Sequence, residues 1–244
     1  MKVTVIGQWG GFPKVNGASS GYLFQSDGFN LLVDCGSAVL SKLQQYISVE
    51  QLDAVILSHY HHDHVADIGP LQHARLVKRY MGVQQQTLPI YGHSLDEAEF
   101  SRLTHDSDTI GVAYNPDESL QLGPFEITFQ RTKHPVPCFA MRITDGSSTV
   151  VYTGDSAYIE QFKTFAELAD LFICECNFYA NMDGSSAGHM NSVEAASIAK
   201  EANVETLLLT HLPHFGNVND LVLQAKKIFA GNVILAEESL SWGN

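Results

Sequence analysis

Ala54-Val55-Ile56-Leu57-Ser58-His59-Tyr60-His61-His62-Asp63-His64 is the stretch on which the reading of this chain turns. Four apolar residues make a run short enough for a buried strand, and it ends directly in a polar loop. That loop holds four histidines and an aspartate in six positions, 59 to 64, of a chain with eleven histidines in all. Neutral imidazole and carboxylate are the ligand types of zinc, manganese and iron, and a coordination shell needs three or more of them converging. A single histidine on an apolar face is an ordinary core residue. Five polar groups at one strand end cannot be accommodated that way, because burying each without a partner costs kilocalories. The pattern H-x-H-x-D-H therefore predicts metal ligation.

One cluster cannot complete a two-metal site, so partners are expected elsewhere. His134 follows the β-type run Phe125–Arg131 and precedes Pro135 and Pro137. Asp155 follows the run Thr149–Thr153, and His211 follows Leu207-Leu208-Leu209. Each is a ligand-type side chain placed after a short β run, as in the first cluster.

Around these positions, β-type runs recur at Val3–Ile6, Tyr22–Gln25, Asn30–Asp34, Ala54–Leu57, Phe125–Arg131, Phe139–Ile143, Thr149–Thr153, Leu171–Cys174, Thr206–Leu209 and Val233–Leu235. They alternate with helical patterns near 38–46, 66–81, 94–103, 157–169, 192–202 and 218–230, with Ser192 as the expected N-cap of the fifth. Two strand-rich stretches, each followed by strand–helix alternation, predict an α/β protein of two sheets face to face with helices outside. No Ser-, Gly- or Pro-rich linker interrupts the chain, so residues 1–244 are expected to form one domain.

Composition narrows the function classes. The net charge is −13, from 27 acids and 14 bases, which repels a phosphate backbone and disfavours a general nucleic-acid binder. Arg75, Lys78 and Arg79 form a small basic group that fits the solvated face of a helix. Cys35, Cys138, Cys174 and Cys176 lack C-x-x-C spacing and read as small core residues of a reducing compartment. The start, MKVTVIGQWGG, does not look like a secretory leader, and no apolar run reaches membrane-spanning length. A cytoplasmic protein without a membrane partner is the expectation.

The ordered set H-x-H-x-D-H, His134, Gly154-Asp155-Ser156 and Thr210-His211 resembles the metallo-β-lactamase superfamily across essentially the whole chain. The resemblance implies its four-layer αβ/βα sandwich of two mixed sheets. It also implies two divalent metal ions, zinc above all, with manganese and iron as alternatives. Carried over, His59, His61 and His134 hold one ion, Asp63, His64 and His211 the other, and Asp155 bridges them. Asp63 then also belongs to the catalytic machinery. Asp155 stands where true β-lactamases carry Cys, and His61 where flavo-diiron proteins carry Glu, so antibiotic hydrolysis and redox chemistry are both disfavoured. What remains is two-metal hydrolysis, in which a hydroxide shared by the ions attacks the substrate.

Two later segments resemble the ribonuclease Z branch: Ile173-Cys174-Glu175-Cys176-Asn177 and Gly188-His189-Met190-Asn191-Ser192. On that match His189 contacts or protonates a phosphate ester, and Glu175 orients its ring. An exposed loop histidine and a surface or salt-bridged acid are the plainer readings of the two. His62, His73, His93 and His105 match no ligand position, and His214 is a candidate for the pocket rim. Positions 135 to 154, 20 residues, separate His134 from Asp155 and are largely used by two strands, so the branch's tRNA-gripping arm is not expected. The loop His189-Met190-Asn191 also departs from the branch's His-Ser-Thr. The leading expectation is a phosphodiesterase for small or cyclic phosphodiesters, of the short, armless kind. A ribonuclease of the tRNA 3′-processing type, a lactone or carbon-ester hydrolase, and a non-catalytic metal-binding module are the alternatives. RNA is disfavoured as a partner, and the branch makes a homodimer a possibility.

Overall fold

The computed structural model describes residues 1–243, and these divide into two compact units, 1–115 with 238–243 and 116–237. In the first, β1 (Lys2–Gly7), β2 (Gly21–Ser26) and β3 (Phe29–Val33) form an antiparallel meander. Then β4 (Ala54–Ile56), β5 (Leu88–Gly92) and β6 (Thr109–Ala113) add in parallel. The chain returns at its end as β14 (Ser241–Gly243), antiparallel to β1, giving the order β14-β1-β2-β3-β4-β5-β6. All three residues of β4 are buried, as a parallel strand covered on both faces requires.

Four helices belong to this unit: α1 (Val39–Leu43), α2 (His62–Val65), α3 (Ile68–Tyr80) and α4 (Glu97–Ser101). On α3 the buried positions Ile68, Leu71, Gln72 and Arg75 recur at helical spacing, and Ile68 and Leu71 join a core with Leu32, Val55, Leu57 and Ile90.

Arg75 corrects the expectation of a solvated basic face. It is 1% exposed, and its guanidinium donates to the carbonyl oxygens of Val49, Asp108 and Gln86. Arg79 forms a two-pronged pair with Asp108 at 2.9 and 3.0 Å, and Lys78 reaches Glu50 at 3.4 Å. The basic group ties α3 to neighbouring loops; its sequence spacing could not show that carbonyls lay within reach of one face.

The second unit runs β7 (Leu120–Leu122), β8 (Phe125–Arg131), β9 (Phe139–Thr144) and β10 (Thr149–Tyr152) as an antiparallel meander. It continues in parallel through β11 (Leu171–Glu175), β12 (Thr206–Thr210) and β13 (Asn232–Leu235). Helices α5 (Gln161–Phe165), α6 (Ser192–Glu201) and α7 (Asn219–Ala225) lie between the parallel strands in sequence. β9 and β10 make a tight hairpin between positions 134 and 155, which leaves no room for an arm.

Two mixed sheets of seven strands each, with helices, bear out the expected α/β architecture. The ten expected strands are present, with ends displaced by a residue or so. β5, β6, β7, β14 and the one-turn α2 were not anticipated. β7 and β14 span three residues each, too few for a pattern. The N-cap of α6 is Asn191 rather than Ser192: its side chain accepts from the backbone N–H groups of Val193 and Glu194, and Glu194 answers in a capping box. Both residues are capping types, and the backbone entry angle makes the choice between them. All four cysteines are free and buried, and burial pushes the Cys35, Cys174 and Cys176 thiols up, which keeps them unreactive. Cys174 lies within β11, and Cys176 just beyond its end. Among the described residues no helix is long and apolar enough to cross a membrane.

Candidate functional site

In the first unit, β4 delivers Leu57 and Ser58 to a turn, and the chain then enters α2, with His61 as its extended N-cap and Asp63 and His64 buried within it. The short helix brings the rings of His59 and His61 to 4.8 Å, centroid to centroid, and those of His59 and His64 to 4.1 Å. His59 and His64 are fully buried, and His61 is partly so.

The group behind this cluster is Asp34, which sequence reasoning missed. It sits just past β3, has φ +57°, and is completely buried. One carboxylate oxygen accepts from the backbone N–H of Ser58 at 2.8 Å. The other lies 2.8 Å from the Ser58 hydroxyl and 2.7 Å from His64 Nδ1. A proton on Nδ1 shared with this carboxylate leaves Nε2 as the ring's ligand nitrogen, the arrangement that orients histidines at metal sites. The signal was present as an acid closing an apolar strand, Leu31-Leu32-Val33-Asp34, but one acid after one strand is not distinctive. Asp63 accepts from the backbone N–H of Gly11 at 2.7 Å, so the loop after β1 touches the cluster. His64 Nε2 stands 3.6 Å from Asp63 Oδ2.

In the second unit the chemistry-bearing residues come from four strand ends. His134 follows β8, Asp155 follows β10, Glu175 ends β11 and His211 follows β12. His134 Nδ1 lies 3.1 Å from the carbonyl oxygen of Gly188, so Nδ1 is the donor and Nε2 is turned towards Asp155, 3.8 Å away. Gly188 has φ +80°, and a Cβ there would fall 2.8 Å from His134 Nδ1, so the close approach requires glycine. His211 Nε2 lies 3.4 Å from the same Asp155 oxygen. His211 itself has φ +52°, with its carbonyl held by the Asn177 side-chain amide at 2.9 Å.

These separations of 3.4 to 3.8 Å are too long for good hydrogen bonds. Ligand atoms about 2.0–2.1 Å from a shared tetrahedral cation stand roughly 3.3 Å from one another. Each unit's donor set, imidazole nitrogens and carboxylate oxygens with the second nitrogens of His64 and His134 tied back, thus fits a divalent metal.

Glu175 is fully buried, which overturns the reading of it as a surface acid. Its carboxylate accepts from the backbone N–H groups of Ser156 at 3.1 Å and Asn177 at 3.3 Å, and lies 2.8 Å from His189 Nδ1. His189 stacks on His211 with centroids 5.1 Å apart at 22°, and meets His134 edge-on at 5.3 Å. Glu175, His189 and His211 each bring one donor atom within 4.8 Å of the others. His189 is therefore a held ring and not a loose loop histidine. Of the histidines with no ligand position, His93 is buried against Tyr60, His62 and His73 are exposed, and His105 is partly buried beside Asp108. His214 is partly buried on the loop after His211.

A family model described as "Beta-lactamase superfamily domain" matches residues 29–212, a span that runs through both units. The chain is 61% identical over 242 residues to the probable metallo-hydrolase YhfI of Bacillus subtilis, covering 99% of each. The crystal structure of that protein superposes with a TM-score of 0.98, covering 99% of this chain and 98% of the other. More distantly, a ribonuclease Z of Metallosphaera sedula is 22% identical over 290 residues, covering 100% of this chain and 99% of its own. A structure described as a new diphosphatase from the PhnP family shares the fold with a TM-score of 0.80 at 16% identity, covering 100% and 97% of the two chains.

Proposed function

The chain belongs to the beta-lactamase superfamily and is a metal-dependent hydrolase, and from that premise we propose that it hydrolyses small or cyclic phosphodiesters. The observation that carries this reading is the buried Glu175–His189 pair at 2.8 Å, stacked on His211. A phosphodiester gains from a proton donor for its departing alkoxide oxygen.

The reading assigns His59, His61 and His134 to one divalent ion and Asp63, His64 and His211 to a second, with Asp155 bridging; zinc suits this donor set, and manganese or iron would also be accepted. Such ions supply Lewis acidity towards the phosphoryl oxygens and acidify a water. The rest is done by the chain's own groups. Glu175 accepts the Nδ1 proton of His189, which fixes the tautomer and stabilises the ring when it carries two protons. His189 Nε2 then delivers its proton to the leaving alkoxide oxygen as the P–O bond breaks, and recovers one from solvent. The N–H groups of Ser156 and Asn177 donate to the Glu175 carboxylate and fix its position beside the ring.

The acidic charge and the short β9–β10 hairpin favour a small substrate over a folded RNA. The match of one family model across both units supports treating 1–244 as a single domain, and the four buried free thiols fit a reducing cytoplasm. The test is a panel of bis(p-nitrophenyl) phosphate and 2′,3′- and 3′,5′-cyclic nucleotides, run with elemental analysis of the same preparation. Turnover with about two equivalents of metal is expected; a metal-replete protein that cleaves none of them removes the reading. The full-length match to a ribonuclease Z keeps RNA as the second reading. Accurate cleavage of a precursor tRNA, exceeding that of the small diesters, would put it first.

A further inference from the structure

Within the second unit, the loop after β12 carries Phe215 four residues beyond His211. The residue is 46% exposed, which makes it the exposed aromatic of that unit among the described residues. A phenylalanine left in water is unremarkable on a floppy loop, but this one is fixed. Its carbonyl accepts from the Tyr179 hydroxyl at 2.7 Å, and its ring packs on Tyr179 with centroids 5.6 Å apart. The next residue, Gly216, has φ +71°, and a Cβ there would meet the Tyr179 hydroxyl at 2.5 Å. Tyr179 is itself 8% exposed, so the anchor is rigid.

From this ring, contacts lead back to the proton donor. Phe215 meets Phe178 at 6.4 Å, and Phe178 meets His189 at 6.3 Å. Phe178 is locked to the Gly-His loop by its backbone, its N–H donating to Met190 and its carbonyl accepting from Ser192. An immobilised, half-exposed π face thus stands one intervening ring away from the group that handles the phosphate ester. We propose that Phe215, with Phe178 beside it, is a stacking platform for the base of a nucleotide whose phosphate lies at His189, so that nucleoside phosphodiesters are the preferred substrates. A nucleotide's base is set off from its phosphate by one ribose, as Phe215 is set off from His189 by Phe178. Stacking serves any base, because each has a π face. The proposal rests on the phosphodiester reading above, and it adds Phe215 as a specificity-determining residue.

The test uses metal-loaded full-length protein and needs no turnover. Calorimetry compares adenosine 5′-monophosphate with ribose 5-phosphate, which keeps sugar and phosphate but lacks the base. The wild type is expected to bind the base-bearing ligand at least about tenfold more tightly, since base–aromatic stacking is commonly a tenfold effect or greater. Phe215→Ala should abolish most of that ratio and Phe215→Trp should keep it, with circular dichroism confirming the fold of both. Equal binding of the two ligands by the wild type overturns the platform, as does a ratio that survives in Phe215→Ala. If the ratio behaves as expected but no phosphodiester is cleaved, the reaction assigned above fails while the platform stands. In the kinetic counterpart, KM for a cyclic nucleotide rises about tenfold in Phe215→Ala, while KM for methyl p-nitrophenyl phosphate changes much less.

Discussion

The two units assemble their candidate ligands in opposite ways. In the first, His59, His61, Asp63 and His64 lie within six consecutive positions, at the entry to and inside the one-turn helix α2. A single buried carboxylate, Asp34, sets Ser58 and His64 together. In the second, His134, Asp155 and His211 come from three strand ends, and each is held by different neighbours. The Gly188 carbonyl takes the His134 ring and Asn177 takes the His211 backbone. The Thr132 hydroxyl donates to the Asp155 carbonyl. A local cluster can be oriented by one residue; a dispersed one depends on the register of a sheet, with β11 pairing to β10 on one side and β12 on the other. The difference teaches that the first set stands or falls with one supporting acid, and the second with the sheet itself.

The largest expected effect comes from removing the residue that the dispersed set is built around. Asp155→Ala should lower activity at least about a thousandfold and empty the protein of metal, more than the 10- to 100-fold typical of changes behind a ligand. Retention of both metal and activity would break the comparison at its centre. His189→Ala comes next. It should cost about a hundredfold in kcat while leaving metal content at the parent level, as loss of a proton donor does; metal loss in this variant would mean that His189 is a ligand. Asp34→Asn tests the single support of the local cluster. Metal affinity should fall roughly 10- to 100-fold, read by chelator competition, whereas removal of the Asn177 amide should do less, its load being shared. Equal losses in the two would erase the contrast.

The smallest effect marks an acid of the first unit that serves the framework alone. The Arg79 guanidinium holds the Asp108 carboxyl below the usual carboxylate range. A depressed value stabilises the folded state above the unfolded pKa, near 3.9, and that contribution fades as pH falls through the folded value. With Arg79 partly exposed, Asp108→Asn should cost less than about 1 kcal/mol at pH 7. The gap from the parent, followed by thermal melts, should close below about pH 4, and catalysis should be untouched.

The same contrast explains what could be read from sequence. The local cluster was legible because four histidines and an aspartate at one strand end have no other physical use. The dispersed ligands became legible only through repetition, a polar residue following an apolar run three times over. Asp34 follows that rule too and was overlooked, since it belongs to no pattern of ligand types and acts through the residues it holds. Arg75 was misread because helical spacing reports which face a residue occupies and not which carbonyls meet it there. Strands β7 and β14 lay below the length at which alternation is visible. Glu175 and His189 were legible only as a resemblance; that their side chains meet at 2.8 Å depends on β11 ending where the Gly-His loop returns.

The return of the chain as β14 has a consequence for how the molecule is made. The first unit is discontinuous: its last strand is synthesised after every residue of the second. Until then β1 has one unpaired side, and the backbone bonds between Val5 and residues 239 and 240 and the Lys42–Glu238 ion pair are missing. Residues 1–115 emerging from the ribosome therefore hold an open sheet edge of the kind that recruits other strands. Neither a fragment ending at 115 nor a chain stopped at 237 is expected to be a well-behaved module.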